Sequence, residues 1–405
     1  MNRKFAIVLY KITVILLVTS GIWNSLLGGT LLAAWKQILI SVVFMGCVFF
    51  VKTKSDLALF GFVVGVLLVI MVSSITHGLP INSVVFNIYF YASWLPFFFY
   101  AKYGVADAAL QKHRNLLMTF IVVSAIGLII DLKSDVFNIL INREYDNEYL
   151  LEIDTAKRAV FIFTTSTFVM PIMGLLTALV LHVKYTKSSA LILLVASLMA
   201  ALSSGSLSAN IVYILLVFGV IANNFSESSS SGMYTVIALI VSVLTFSLLE
   251  INIFDKQIER ILSNDSNSAS NIGRLRLWDY AINRISNFSI FEHISGLGIG
   301  VTNGKFMRLP LPHGESSIFQ AYIEAGILGT ILRILPFLII FRHAHKNPIL
   351  SFVLLGYFIA ISVAPIFGNP ANQALLGTVA GVLVYNHSRN RRKFYSHDGI
   401  FNELK

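Results

Sequence analysis

The chain has 405 residues, 56% hydrophobic and only 12% charged, with 31 Phe and a mean hydropathy of +0.77. A soluble domain is about half apolar and a quarter charged, so too little polar surface remains here to cover a water-soluble globule, and the composition is that of a polytopic membrane protein. The single cysteine, Cys47, excludes disulfides and a thiolate metal site, and the net charge of +10 is scattered between apolar runs, not gathered into a patch for nucleic acid.

Runs long enough to cross a hydrocarbon core of about 30 Å fall at 5–22, 36–51, 57–76, 83–101, 115–132, 159–182, 189–203, 207–223, 233–252, 318–341, 349–367 and 371–386. They predict an all-α polytopic protein of about twelve transmembrane helices. Nine occupy 1–252 with an outer loop at 133–157, a large loop follows at 253–317, three more helices fill 318–386, and a basic tail closes the chain at 387–405. The runs at 36–51, 189–203 and 371–386 are short, and without one or two of them the count falls to ten or eleven. No signal-peptide cleavage pattern follows the first run, which is expected to stay as an anchor.

With the N-terminus in the cytoplasm and alternating spans, the cytoplasmic segments hold sixteen Lys and Arg; the other side holds four once the long loop, exempt from the charge rule, is set aside. Both termini are therefore expected inside. The outer loop at 133–157 is mostly acidic, with Asp135, Glu144, Asp146, Glu148, Glu152 and Asp154, and the inward loop 224–232 reads as a flexible connector.

The large outer loop opens with a polar linker, Ser263 to Ser270. Leu275, Trp278, Ile282, Ile285 and Phe288 then recur at helical spacing, with Ser270 or Asn271 available as a cap and Arg274 in the first turn. This amphipathic helix is expected either to lie along the membrane–water boundary or to pack on the protein's own helices.

Charges inside apolar runs are costly and line cavities, pair or snorkel. Lys11 and Lys36 read as edge or packing features; Glu324, between apolar residues and followed by Gly326 and Gly329, reads either as a packing residue with a local partner or as part of a site; Arg333 falls in the same run. Arg158, Arg274 and Arg276 meet at the outer surface, where guanidinium groups suit phosphate. Gly296, Gly298 and Gly300 fit a tight turn better than a phosphate loop, since neither a dinucleotide fingerprint nor GxxxxGK[ST] is present. Glu292, His293, His313 and Glu315 match no zinc spacing, so no metal and no cofactor are expected. His313 and Glu315 immediately precede the tenth run, where either could take a proton from a sugar hydroxyl, or Glu315 could cap the helix starting near Ser316.

Gly273-Arg274-x-x-x-Trp278, Gly296-x-Gly298-x-Gly300, Glu315-Ser-Ser and Glu324-x-Gly326-x-x-Gly329, in this order, resemble the superfamily of bacterial O-antigen polymerases and ligases. Arg158-Ala-Val-Phe-Ile-Phe resembles a further family arginine, and Ser204-Gly-Ser-Leu-Ser-Ala209 resembles its Ser-Gly-Ser-Arg stretch. Two departures stand out: Leu207 replaces the arginine of many members, and the family histidine position falls on Glu315, with His313 two residues early. The second favours polymerase over ligase.

The resemblance implies a GT-C-like, metal-independent glycosyltransferase of the bacterial inner membrane. It would move a growing glycan from undecaprenyl pyrophosphate to the next lipid-linked repeat unit at the periplasmic face, alongside a chain-length regulator and a repeat-unit flippase. Arg274 and Arg158, with Arg276 in reserve, would hold the pyrophosphate, and Glu315 or His313 would serve the acceptor hydroxyl. The rivals are an O-antigen ligase acting on lipid A–core, a lipid-linked oligosaccharide flippase, for which two related halves are expected, and a structural assembly subunit.

Overall fold

The computed structural model describes residues 3–27, 34–134, 159, 161–163, 166–183, 186–227, 269–302, 316–344, 347–364 and 369–397. Among them there is no strand. The helices are α1 (Arg3–Val18), α2 (Ser20–Leu27), α3 (Trp35–Cys47), α4 (Lys54–Thr76), α5 (Ile81–Asn87), α6 (Tyr89–Ala92), α7 (Trp94–Lys102) and α8 (Val105–Lys133). They continue with α9 (Ser166–Val183), α10 (Lys187–Ser204), α11 (Leu207–Glu227), α12 (Ala269–Ser286), α13 (Ile290–Ser295), α14 (Ser317–Ala344), α15 (Pro348–Val363) and α16 (Pro370–His397).

Among the described residues, five stretches are long and apolar enough to cross a membrane: α4, the α5–α7 run 81–102, α8, α10 and α14. Shorter apolar helices, among them Trp35–Phe50 and Pro348–Ser362, stand beside them. The described residues are all-helical outside their turns and suit a membrane-embedded protein.

Local chemistry sets the helix ends. Thr53 and Asp56 form a reciprocal capping box at the start of α4, and Thr186 and Ser189 do the same for α10. Asn347 caps α15 with Pro348 in its first turn. The central element is α7, buried from Trp94 to Ala101; a helix apolar all round belongs in the middle of a bundle.

Contacts between helix ends sort the described elements into two poles. At one, Asp56 at the start of α4 takes hydrogen bonds from Lys102 and Tyr103 at the end of α7, and His182 at the end of α9 meets Asn347 and Asn386 of α15 and α16. At the other, the loop pole, Ser73 at the end of α4 bonds Ser295 of α13 and Ser74 accepts from the Ile299 amide after it, the Ala159 amide donates to Ser203 O at the end of α10, and the Gly21 amide donates to Ile162 O. From α4 to α10 the chain runs alternately between the poles, with α5–α7 making one passage.

Several expectations change. The run 83–101 is three consecutive helices, and the connector 224–232 begins inside α11, which continues to Glu227. The basic segment after 386 starts as helix, since α16 continues to His397; Arg and Lys are good helix formers and prolong it. Lys11 is held by His113 at 3.0 Å. The ninth run, 233–252, and the acidic residues of 133–157 lie outside the described residues.

Candidate functional site

The site is built around a break in α14. Gly326 has φ 59° and ψ −153°, a conformation open essentially to glycine alone. Arg333 shows how sharp the break is. Its Nη1 donates to the Ser317 carbonyl and, at 3.3 Å, to Gln320 Oε1. On a straight helix those residues would stand about 24 and 20 Å away along the axis, far beyond the reach of one side chain. The arm 317–325 is therefore folded back toward the arm 327–344, and the tenth run is not the continuous span its hydropathy suggests. The longer arm still extends about 27 Å.

A break in a helix frees carbonyls that must find donors, above all away from water. The Leu297 amide donates to Ile323 O at 2.8 Å and the Gly298 amide to Glu324 O at 2.9 Å. This contact is backbone on backbone. A Cβ on Gly296 would fall 2.3 Å from the Ala325 nitrogen, and one on Gly326 would fall 2.5 Å from the Ile294 carbonyl. The glycine run after α13 thus fits the broken end of the helix arm, consistent with its reading as a tight turn.

Glu324, 2% exposed, fastens the assembly. Its Oε2 accepts from Tyr91 OH at 2.6 Å, and its Oε1 accepts from Thr302 Oγ1 and from Gln320 Nε2 at 3.4 Å. The guanidinium of Arg333 lies 4.6 Å from the centroid of the Tyr91 ring. A buried carboxylate and a buried guanidinium are each costly in low dielectric, and shared neighbours reduce that cost. One network therefore ties α6, the loop at Thr302 and both arms of α14.

The loop helix α12 docks on the same arm. Trp278 meets Phe319 edge-on with centroids 5.9 Å apart, and Phe288 stacks on Tyr322 at 6.3 Å. Ala281 is fully buried against Val301 and Ile323, with Ile285 alongside. The docked stripe of α12 is thus 278, 281 and 285, continued by Phe288 just after the helix. Ile282 is 50% exposed, because the helix presents Ala281 where the arm approaches most closely.

Of the residues singled out from sequence, Arg276 is exposed on α12. Arg274 belongs to the same helix but to its second turn, because α12 begins at Ala269 and so contains the expected caps Ser270 and Asn271. Arg158, His313 and Glu315 lie outside the described residues. At the start of α14, Ser316 Oγ accepts from the Ile318 and Phe319 amides at 3.2 and 3.4 Å.

Neither Glu292 nor His293 stands ready as a ligand. Glu292 closes a capping box with Ser289, and the Ser289 amide bonded to its carboxylate holds it below the usual carboxyl range; His293 Nδ1 bonds Tyr322 OH at 2.8 Å.

The sequence reading missed Tyr91, Thr302 and Gln320. The available signal was the pair Glu324 and Arg333, two charges in one apolar run, but a straight helix would hold them about 14 Å apart, which hid their shared neighbours. Chemically, the Glu324 carboxylate is enclosed by donors and braces the fold, while the exposed face of α12 offers cations to an anion arriving at the loop pole. The chain matches no protein-family model and no curated protein.

Proposed function

We propose that the chain is a metal-independent membrane glycosyltransferase that lengthens a surface polysaccharide, in the manner of an O-antigen polymerase. It would carry about twelve spans in the bacterial inner membrane, with the pole of Asp56 and His182 in the cytoplasm and the loop pole in the periplasm. The observation that carries the reading is the docking of α12 on the folded-back arm of α14. It unites at one pole the Gly273-Arg274 helix, the Gly296–Gly300 turn and the Glu324-x-Gly326 break, three of the stretches on which the resemblance rests.

In the proposed reaction the acceptor hydroxyl of a lipid-linked repeat unit attacks the anomeric carbon of the growing glycan. The bond to undecaprenyl pyrophosphate breaks, and the hydroxyl proton passes to Glu315 or His313. Pyrophosphate is already a good leaving group, so alignment of two membrane-bound partners and stabilisation of departing charge dominate. Arg274 and Arg158, with Arg276 in reserve, would supply that charge. A chain-length regulator and a repeat-unit flippase are the partners this activity requires.

The test is incubation of purified protein with undecaprenyl-pyrophosphate-linked repeat units. A ladder of products is expected, and Arg274→Ala should abolish long chains while leaving the protein in the membrane. Unchanged substrate would favour a flippase or an assembly subunit, and transfer to lipid A–core without a ladder would make the chain a ligase.

A further inference from the structure

The two most exposed large hydrophobic side chains among the described residues are neighbours on α13: Ile290 at 77% and Phe291 at 79%. Two adjacent large apolar side chains left in water are unfavourable, which is hard to reconcile with a short helix in an aqueous loop. The setting supplies the explanation. Ser73 Oγ donates to Ser295 Oγ at 2.8 Å, fixing α13 against the last turns of α4. Beside that contact runs a groove of about 400 Å³, with Val69, Val72, Phe291 and Ile294 forming its apolar walls. Ser73, Thr76, His77 and Ser295 supply its polar lining.

The apolar side of this groove continues a surface already assigned to the bilayer. On α4, a 23-residue apolar helix, Leu68, Val69, Val72 and Ile75 are 42–57% exposed, as side chains facing lipid must be. Ser73 stands in the last turns of that helix, so α13 sits where hydrocarbon gives way to headgroups.

From this continuity we infer that α13 is a lipid-engaging foot. Ile290 and Phe291 enter the membrane monolayer at the loop pole, and the groove beside them takes an acyl chain of a bilayer phospholipid. The hydroxyls and His77 lie toward its headgroup. The foot has a structural consequence: α13 leads directly into Gly296, so the lipid holds in place the turn that closes the break in α14.

The test uses the full chain in phospholipid nanodiscs, with Cys47→Ala removing the one native thiol. A spin label is placed by Phe291→Cys and its accessibility to oxygen and to a water-soluble nickel chelate is measured. Leu68→Cys is the lipid-facing control and Asn283→Cys the water-facing one. The inference predicts an oxygen-to-nickel ratio near that of Leu68→Cys and several-fold above that of Asn283→Cys. It further predicts relaxation of the label by phospholipids carrying a paramagnetic group on the acyl chain. A ratio like that of Asn283→Cys overturns it, as does shielding from both reagents, which would mean a protein partner. Close approach of labels on two copies overturns it too, by making the foot a self-association surface.

Discussion

Replacing Gly326 by alanine tests the account of the broken helix most directly. At φ 59°, ψ −153° a side chain costs about 1–3 kcal/mol in backbone strain. The added Cβ would also stand 2.5 Å from the Ile294 carbonyl carbon and oxygen and 2.6 Å from the His293 oxygen. Those are backbone atoms and cannot swing aside, so α13 must withdraw from the arm. Withdrawal breaks the Leu297-to-Ile323 and Gly298-to-Glu324 hydrogen bonds, each worth about 1–3 kcal/mol when the partners stay buried and unpaired. Together the loss is about 3–9 kcal/mol, comparable to the whole net stability of a typical domain.

Thermal unfolding of the detergent-solubilised protein, followed by tryptophan fluorescence, should show a large fall in Tm for Gly326→Ala or no cooperative transition at all. Gly65→Ala is the matched control. Its Cβ would meet nothing within 4 Å and Gly65 has an ordinary helical backbone, so it should be neutral or slightly stabilising, as Gly→Ala in a helix generally is. A Gly326→Ala protein melting with the wild type would refute the break, and with it the folded-back arm.

Two further outcomes follow from the same geometry. Glu324→Ala leaves the hydroxyls of Tyr91 and Thr302 without their acceptor, a cost of about 2–6 kcal/mol at about 1–3 per buried group. Glu324→Gln, which keeps the shape and one carbonyl acceptor, should lose clearly less in the same melt; equal Tm values for Ala and wild type would remove Glu324 from the brace. For α13, the depressed Glu292 carboxyl stabilises the capping box at pH values above its ordinary range near about 4.3. That contribution is lost as pH falls through the lower folded-state value. A label at Phe291→Cys should therefore become more mobile on acidification, and Ser289→Ala, which removes the cap at about 1 kcal/mol, should show that mobility already at neutral pH. Constant mobility in both cases would mean that the box does not hold the helix.

Much was legible in the chain because membrane helices follow from composition over windows of about twenty residues, a local property. The apolar runs, the helical pattern around Trp278, the reading of the glycines after α13 as a turn, and the oddity of Glu324 and Arg333 all come from residues close in sequence. Five stretches long and apolar enough to cross a membrane agree with that reading. The periplasmic placement and the reaction proposed for the arginines rest on the resemblance and await the proposed assay.

The tertiary structure alone decided how the tenth run is used. Hydropathy averaged over the whole run cannot distinguish a continuous span from one folded back at Gly326, since the 27 residues from Ser317 to His343 pass as one apolar stretch. What selects the break is the fit of a second segment, 296–302, onto carbonyls that only a broken helix frees, together with a tyrosine from α6 that meets Glu324 across 233 residues of sequence. Likewise Ala281, unremarkable in sequence, takes the place of Ile282 in the docked stripe, because it is the residue that faces Val301 and Ile323. Local pattern determines which segments become helices. The choice of partners is made by long-range pairing of groups that cannot be left unsatisfied in a membrane.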